Sequence, residues 1–295
     1  MSRPSPKIAR VRPLCRLVAA TVVLLALPGA ELSAQTPPPP QPPPPPQQPP
    51  PAPPNPCLDR SLSLRCPDLV TSAPRDLALD RTTRPGHVLL RATSSINDHG
   101  SGPLELRGKR TGRRSMTVAQ AVYRTNGSVT LFHTGARLGF KSVPGERYGY
   151  GYVGNASYWK FRDAARFGLW KVDRHDHLIS FVRSGPKLFY CFRDLDHTRP
   201  SGRSPSGPRY PACNQNPGQR RVTLGTSVGW SDVYPAAYPE QWIDVTGLRG
   251  RFAYVQVADP YNKIYESHEG NNASATFIRL PSGRVVGHRV GFSLP

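Results

Sequence analysis

The sequence lacks the short motifs that mark common catalytic and nucleotide-binding sites. It contains no G-x-S-x-G, H-E-x-x-H, P-loop or dinucleotide-binding fingerprint, so nothing supports a hydrolase of that type, a zinc protease or a nucleotide-dependent enzyme. It also lacks a helix-turn-helix, a zinc finger and an RNA-binding signature. We therefore expect no nucleic-acid partner.

Helical periodicity is nearly absent, and no internal repeat is visible. The best helix candidate is the short stretch 158–167, which contains two adjacent alanines. Elsewhere, short β-rich runs alternate with turn residues, and Asn126-Gly127 is a strong hairpin signal because both residues tolerate a positive φ. The pattern predicts an all-β sandwich. The predicted strands are 87–93, 104–106, 121–123, 128–132, 167–172, 178–182, 187–192, 241–245, 251–257 and 275–280.

The N-terminal region has the pattern of a secretory signal peptide. Residues 1–34 combine five basic residues, an apolar stretch from Leu17 to Leu27, and small residues at 33 and 34. The apolar stretch is shorter than the roughly 20 residues that a membrane span needs. A retained anchor is the alternative. No later segment is long and apolar enough to cross a bilayer, so we expect a secreted protein whose mature chain has no membrane span.

Residues 35–56 are almost entirely proline and glutamine. Such a tract adopts polyproline II and serves as a semi-rigid spacer, so we interpret it as a disordered linker. A ligand for a proline-binding module and a stalk across a cell wall are the alternatives. Residues 57–295 are then long enough for one all-β domain with its own core.

The cysteine usage fits an oxidising compartment. Cys15 leaves with the signal peptide, and the mature chain keeps Cys57, Cys66, Cys191 and Cys213. Four cysteines allow three pairings, and the sequence does not choose among them. The simplest guess joins nearest neighbours, Cys57 with Cys66 and Cys191 with Cys213.

Basic residues strongly outnumber acidic ones. The net charge is +20, and removing residues 1–34 takes away five basic residues and one acidic residue, which leaves about +16. The densest basic patch is residues 107–114 (RGKRTGRR). Such a surface favours anionic extracellular polymers or acidic proteins as partners. A generally arginine-rich proteome is the alternative explanation.

Several segments resemble the secreted lysyl oxidases, which are copper- and quinone-dependent amine oxidases. Residues 66–69 (CPDL) and 102–106 (GPLEL) are similar to the first strands of bacterial lysyl-oxidase-like proteins. The C-terminal half is more specific, because four family elements follow in order. They are 187–194 (KLFYCFRD), 229–234 (GWSDVY), 241–248 (QWIDVTGL) and 266–272 (ESHEGNN). The resemblance covers most of the mature chain and implies a lysyl-oxidase-like β-sandwich with long loops.

The resemblance also implies where the family's chemistry would lie. It puts Lys187 and Tyr234 at the two positions that form lysyl tyrosylquinone, which oxidises CH–NH2 donors. The copper ligands of the family form an H-x-H-x-H run, but here those positions are Ala156, Tyr158 and Lys160. Alanine offers no ligand atom, and a protonated lysine repels a cation. Copper(II) prefers imidazoles, so the metal motif is degenerate.

The same residues also have simpler structural interpretations. Lys187 could be a surface lysine at a strand end, and Tyr234 a buried aromatic with a hydrogen-bonded hydroxyl. The tryptophans at 159, 230 and 242 are expected in the core. His175 and His177 form the one H-x-H in the chain, but they fall in a predicted hairpin turn and should face solvent. His133 and His197 have no spacing that favours a site.

Two main hypotheses follow, and whether the protein is an enzyme stays open. In the first, a secreted lysyl-oxidase-like protein has lost amine oxidase activity and acts as a basic binding or structural protein without a cofactor. In the second, a primary amine oxidase builds its quinone from Lys187 and Tyr234, with copper held by His133, His175 or His177. A third, weaker hypothesis is a polysaccharide-binding module that uses the tyrosines at 148, 150 and 152.

Overall fold

The computed structural model describes residues 54–148 and 151–294, with the backbone alone at 147, 148 and 151–153. The expected signal peptide, Cys15 and most of the expected linker lie outside the described residues, as does Tyr150. Within the described part of the chain, no helix is long and apolar enough to cross a membrane.

The structure is nearly all β, which confirms the predicted fold class. Two short 3-10 helices, Pro56–Leu58 and Arg60–Leu62, precede the strands. The strands are β1 (Leu64–Arg65), β2 (Leu69–Thr71), β3 (Arg75–Asp80), β4 (Leu89–Asp98), β5 (Leu104–Gly112), β6 (Ser115–Arg124), β7 (Val129–Phe132), β8 (Arg137–Val143), β9 (Glu146–Tyr148), β10 (Gly151–Val153), β11 (Ala156–Phe161), β12 (Ala165–Val172), β13 (Leu178–Ser184), β14 (Arg221–Thr226), β15 (Ser231–Tyr234), β16 (Trp242–Asp244), β17 (Gly250–Ala258), β18 (Ala273–Leu280) and β19 (Arg284–Phe292).

The strands form antiparallel sheets in a sandwich-like arrangement. One sheet has the order β11-β8-β6-β5-β14, with β1 and β7 also paired to β6. A second has the order β13-β12-β17-β18-β19. The long strand β4 pairs with β2, β3, β15 and β16 and is buried along its whole length. Since β15 carries Tyr234, this central strand holds the residue that the family resemblance singles out.

The core consists of a main cluster and a smaller one, which lie on opposite faces of β17. In β17, Phe252 and Tyr254 belong to the main core, whereas Ala253 and Val255 belong to a smaller cluster. Successive strand residues point to opposite faces, so this alternation places apolar side chains on both sides of the sheet. The segments 187–192 and 231–234 therefore end in a densely packed interior.

The predicted helix over 158–167 is wrong. Residues of β11 pair with β8, and a turn with Asp163 at φ 57° leads directly into β12. The aromatic residues 158, 159 and 161 suit a pleated, half-buried strand better than a helix. The predicted strand 187–192 is also wrong, since it forms only an isolated bridge between Tyr190 and Phe161.

Other predictions are confirmed. Asn126-Gly127 turns the β6–β7 hairpin, with Gly127 at φ 85°. The disulfides join Cys57 to Cys66 and Cys191 to Cys213.

The ordered domain includes Asn55, which the sequence predicted to lie in the linker. Its side chain donates hydrogen bonds to Glu266 O at 2.9 Å and to Glu269 Oε1 at 2.8 Å.

Candidate functional site

The three positions that the resemblance equates with copper ligands share one face of β11. Residues 156, 158 and 160 alternate along the strand and pair with 143, 141 and 139 of β8, so their side chains project in the same direction. Ala156 and Tyr158 are half-buried. Lys160 is only 2% exposed, and its Nζ donates to Tyr238 Oη at 3.1 Å. The face of β11 that carries these positions therefore turns toward the tyrosines around Tyr234.

Lys187 and Tyr234 are brought together in the interior. The Lys187 Nζ lies 3.8 Å from the centroid of the Tyr234 ring and donates to Phe189 O at 2.7 Å. Lys187 is 1% exposed, so its interpretation as a surface lysine is wrong. It is buried because residues 187–192 run inward between β11 and β15 instead of extending a sheet edge.

Tyr234 occupies a tight aromatic cluster. It pairs with Ser94 of β4 and is 5% exposed, and its hydroxyl accepts a hydrogen bond from the Cys191 amide at 3.3 Å. The rings of Tyr190 and Tyr238 pack edge-on against it, with centroids 4.5 and 4.8 Å away. The expectation of a buried tyrosine with a hydrogen-bonded hydroxyl is confirmed.

The two lysines and these three tyrosines form what we call the tyrosine–lysine cluster (Lys160, Lys187, Tyr190, Tyr234, Tyr238). The Lys187 Nζ lies 4.7 and 4.8 Å from the ring centroids of Tyr190 and Tyr238. The Lys160 Nζ lies 5.5 Å from the Tyr234 centroid and 5.2 Å from that of Tyr238. Both amines are thus within the range in which aromatic faces attract a cation.

Burial strongly perturbs the ionisation of this cluster. It lowers the pKa of Lys160 to about 8, and burial together with the charge of Lys160 lowers the pKa of Lys187 well below its usual value. Burial also raises the pKa of the neighbouring Asp232 to about 7, against the opposing effect of Lys187. Each shift follows from the cost of a charge in a poorly hydrated interior. The Lys187 amine therefore has a larger neutral fraction than an exposed lysine.

Asp232 is the acidic member beside the cluster. Its Oδ2 accepts the Phe192 amide at 3.1 Å, whereas Oδ1 has no hydrogen-bond partner among the described residues. Burial, followed by the negative charge of Asp232, raises the pKa of Tyr234 well above its usual value. The phenol is thus held in its neutral form at physiological pH.

The residues present do not fit a copper ion. The three motif positions provide a methyl group, a phenol and an ammonium instead of imidazoles. No group of three or more histidine, cysteine, aspartate or glutamate side chains in the described part of the chain is arranged to hold a metal. These three positions therefore lack the imidazole donors that the resemblance leads one to expect there.

The histidines considered as substitute ligands lie in exposed turns. His177 is 68% exposed and bonds Asp173 Oδ2 at 2.9 Å through Nδ1. His175 Nε2 accepts a hydrogen bond from Arg174 Nε in the same β12–β13 turn. Both histidines thus face solvent, as the sequence predicted. His133 is exposed between β7 and β8. His197 stacks on Trp230, with ring centroids 4.6 Å apart.

Sequence reasoning missed two members of the cluster, Tyr190 and Tyr238. Both lie within a few residues of motif positions, since Tyr190 precedes Cys191 and Tyr238 follows Tyr234 by four. Of the three tryptophans expected in the core, Trp159 and Trp230 are buried, whereas Trp242 is half-buried with Arg84 over its ring at 4.3 Å. The hypothesis based on the tyrosines at 148, 150 and 152 concerns side chains that the structure does not describe.

Comparison with known proteins adds no relative to this picture. No family model matches the chain. No curated protein matches it either.

Proposed function

We propose that this chain is an exported, lysyl-oxidase-like β-sandwich that has lost copper-dependent amine oxidation and acts as a basic extracellular binding protein. Lys187 and Tyr234 are then an unreacted pair in the interior. The observation that carries the proposal is the buried Lys160 amine, which lies on the ligand-motif face and points into the tyrosine–lysine cluster.

A lysine in this position supports the loss of copper chemistry for two reasons. Its amine fills space next to Tyr238, where it donates a hydrogen bond at 3.1 Å. When protonated it also repels a dication, and this repulsion is strong in a poorly hydrated interior. Restoring one imidazole elsewhere would leave both obstacles in place.

The excess of basic residues supports the binding half of the proposal. The formal net charge is +20, and an excess of this size raises the local concentration of anionic polymers around the protein. Two disulfides are compatible with an extracellular protein.

Mass spectrometry of copper-treated protein tests the catalytic half. The mature protein is incubated with Cu(II) and oxygen, and its tryptic peptides are analysed. We expect separate peptides containing Lys187 and Tyr234, and no peroxide release with primary amines. A Lys187–Tyr234 cross-linked peptide with stoichiometric copper would overturn the proposal.

A restored motif tests whether β11 is the former ligand strand. In the variant Ala156→His/Tyr158→His/Lys160→His, three imidazoles would share one face at alternating positions. We expect it to bind one Cu(II), detected by titration and by electron paramagnetic resonance. The control Ala156→His/Tyr158→His keeps Lys160 and should bind far more weakly. If the triple variant folds but binds no copper, the assignment of these ligand positions is wrong.

The second candidate function is a primary amine oxidase with a non-standard copper site. One observation favours it: the Lys187 amine lies 3.8 Å from the Tyr234 ring centroid, and its pKa is lowered by burial. An amine in this state is close to the ring and a better nucleophile than an exposed lysine. The same peptide analysis decides between the candidates.

A further inference from the structure

A basic cleft lies away from the tyrosine–lysine cluster. Its volume is about 930 Å³, and its walls come from β1, β5, β6 and the loop that contains residues 202–210. Four arginines line it, namely Arg65, Arg124, Arg203 and Arg209. A concave site of this size can enclose several sugar residues or a comparable ligand.

The carboxylate of the cleft is already neutralised. Among the described lining residues, Glu105 is the one acidic side chain. Its Oε1 accepts from Arg107 Nε at 2.7 Å, and its Oε2 accepts from the hydroxyls of Tyr123 and Tyr210, both at 2.8 Å. Three donors therefore occupy this group, and little negative charge remains to oppose an anion.

The cleft arginines have no carboxylate partner within the described residues. Arg124 donates to Leu62 O at 2.7 Å and Thr130 Oγ1 at 3.2 Å, and Arg65 reaches only the Thr125 carbonyl at 3.5 Å. Arg203 and Arg209 are exposed, and their guanidinium groups form no hydrogen bond or ion pair in the described chain. Four cationic groups thus line one cleft without a counter-ion.

The loop that carries the last two arginines is anchored. The backbone amide of Arg209 donates to Asp194 Oδ2 at 2.8 Å. Asp194 also accepts from the Ser227 amide at 2.7 Å and is itself buried. The Cys191–Cys213 disulfide closes the segment that contains the loop. This anchoring reduces the entropy that the loop would lose when a ligand binds.

A second, smaller cleft continues the first. Its volume is about 370 Å³, and it shares Gly202, Arg203 and Val228 with the larger cleft. It adds Arg199, His99 and Asp98 to the lining, and the Asp98 carboxyl is fully buried and accepts three backbone amides. We call the two together the arginine groove. An extended ligand with repeated negative charges matches a groove of this form better than a single small anion does.

We propose that the arginine groove binds a linear polysaccharide that carries carboxylate or sulfate groups, an inference that rests on the proposed function of an extracellular anion-binding protein. Guanidinium groups form paired hydrogen bonds with both kinds of anion. A nucleic acid fits less well, because single strands bind by stacking on open aromatic faces. The two tyrosines of the groove are half-buried and tied to Glu105 through their hydroxyls.

Binding measurements on the mature protein test the groove. The probes are polygalacturonate for carboxylates, dextran sulfate for sulfates and uncharged dextran as the neutral polymer. We expect binding to at least one charged polymer, weakened by salt, and none to dextran. Arg203→Gln/Arg209→Gln should raise the Kd at least tenfold. The control Arg166→Gln/Arg284→Gln removes two exposed charges outside the groove and should change the Kd less than twofold.

The outcomes separate this inference from the proposed function. If both double variants raise the Kd equally, binding is non-specific charge attraction. That result would overturn the assignment of the groove as the binding site, while the proposed binding function would stand. Failure of the wild-type protein to bind either charged polymer would contradict both. Single-stranded DNA is a further probe, and tighter binding of DNA than of both polymers, lost in Arg203→Gln/Arg209→Gln, would overturn the polysaccharide assignment.

Discussion

Replacing Lys160 with methionine should stabilise the protein at neutral pH. The side chain is buried, and burial lowers its pKa from 10.5 to about 8. The folded state therefore binds the proton less tightly than the unfolded state does. The buried charge of Lys160 therefore destabilises the folded state. Methionine has a similar length and no charge, so Lys160→Met removes this cost and largely keeps the packing.

The size of the effect follows from the two pKa values. One pKa unit corresponds to about 1.4 kcal/mol, so the full penalty is roughly 3 kcal/mol. The lost hydrogen bond to Tyr238 offsets about 1 kcal/mol of this gain. A net stabilisation of about 2 kcal/mol remains for Lys160→Met at pH 6.5.

The pH dependence provides the sharper test. Because the folded pKa is depressed, the wild-type protein is nearly free of the penalty above the unfolded pKa of 10.5, acquires it as pH falls from there to about 8, and carries it in full below pH 8. The advantage of Lys160→Met should therefore shrink by about 2 kcal/mol between pH 6.5 and pH 9.5. Urea unfolding followed by fluorescence at several pH values measures it, with the disulfides kept oxidised.

The matched control is Lys171→Met, which changes an exposed lysine of β12. We expect it to alter the free energy of unfolding by no more than about 0.5 kcal/mol, with no trend between these pH values. The reasoning is refuted if Lys160→Met destabilises the protein at pH 6.5, or if its effect is the same at both pH values. Either result would mean that the Lys160 charge is well solvated or well paired.

Two further predictions concern the backbone around β4. Gly229→Ala should destabilise the fold by at least about 3 kcal/mol, because a Cβ would lie 2.2 Å from the Arg199 carbonyl at φ +77°. The control Gly247→Ala has a φ of +75° but open space, so thermal unfolding should show a loss of only about 1–2 kcal/mol. Burial raises the pKa of the Asp98 carboxyl to about 7 although it accepts three backbone amides, so the wild-type protein loses stability as the buried group ionises with rising pH. Relative to wild type, Asp98→Asn should therefore become about 2–3 kcal/mol more favourable between pH 5 and pH 8 in urea unfolding. An unchanged midpoint in Gly229→Ala, or an effect of Asp98→Asn that is the same at both pH values, would contradict this reasoning.

Local sequence signals predicted the fold class because they act over short distances. The Asn126-Gly127 turn supplies the conformation that its hairpin needs, and the structure has that hairpin. The nearest-neighbour disulfides also close short loops. The helix predicted over 158–167 is wrong because the two alanines that favour a helix are outweighed by the pairing of β11 with β8.

The site was predictable only in part, because burial is a property of the whole fold. The motif resemblance placed Lys187 beside Tyr234, and the structure brings the amine to 3.8 Å from the ring centroid. No local pattern indicated that residues 187–192 leave the sheets and run inward. The contacts of Lys187 with Tyr190 and Tyr238 depend on that path.

The positive charges of the tyrosine–lysine cluster disfavour a metal ion within it. The two buried amines interact with two carboxylates, Glu240 and Asp232, and the pKa of Asp232 is itself raised by burial. Burial lowers the pKa of both lysines, and the charge of Lys160 lowers that of Lys187 further, so the interior disfavours positive charge. A dication in the same space would add a third positive centre without imidazole donors. A protonated Lys160 therefore opposes metal binding by electrostatics, and it offers no imidazole donor.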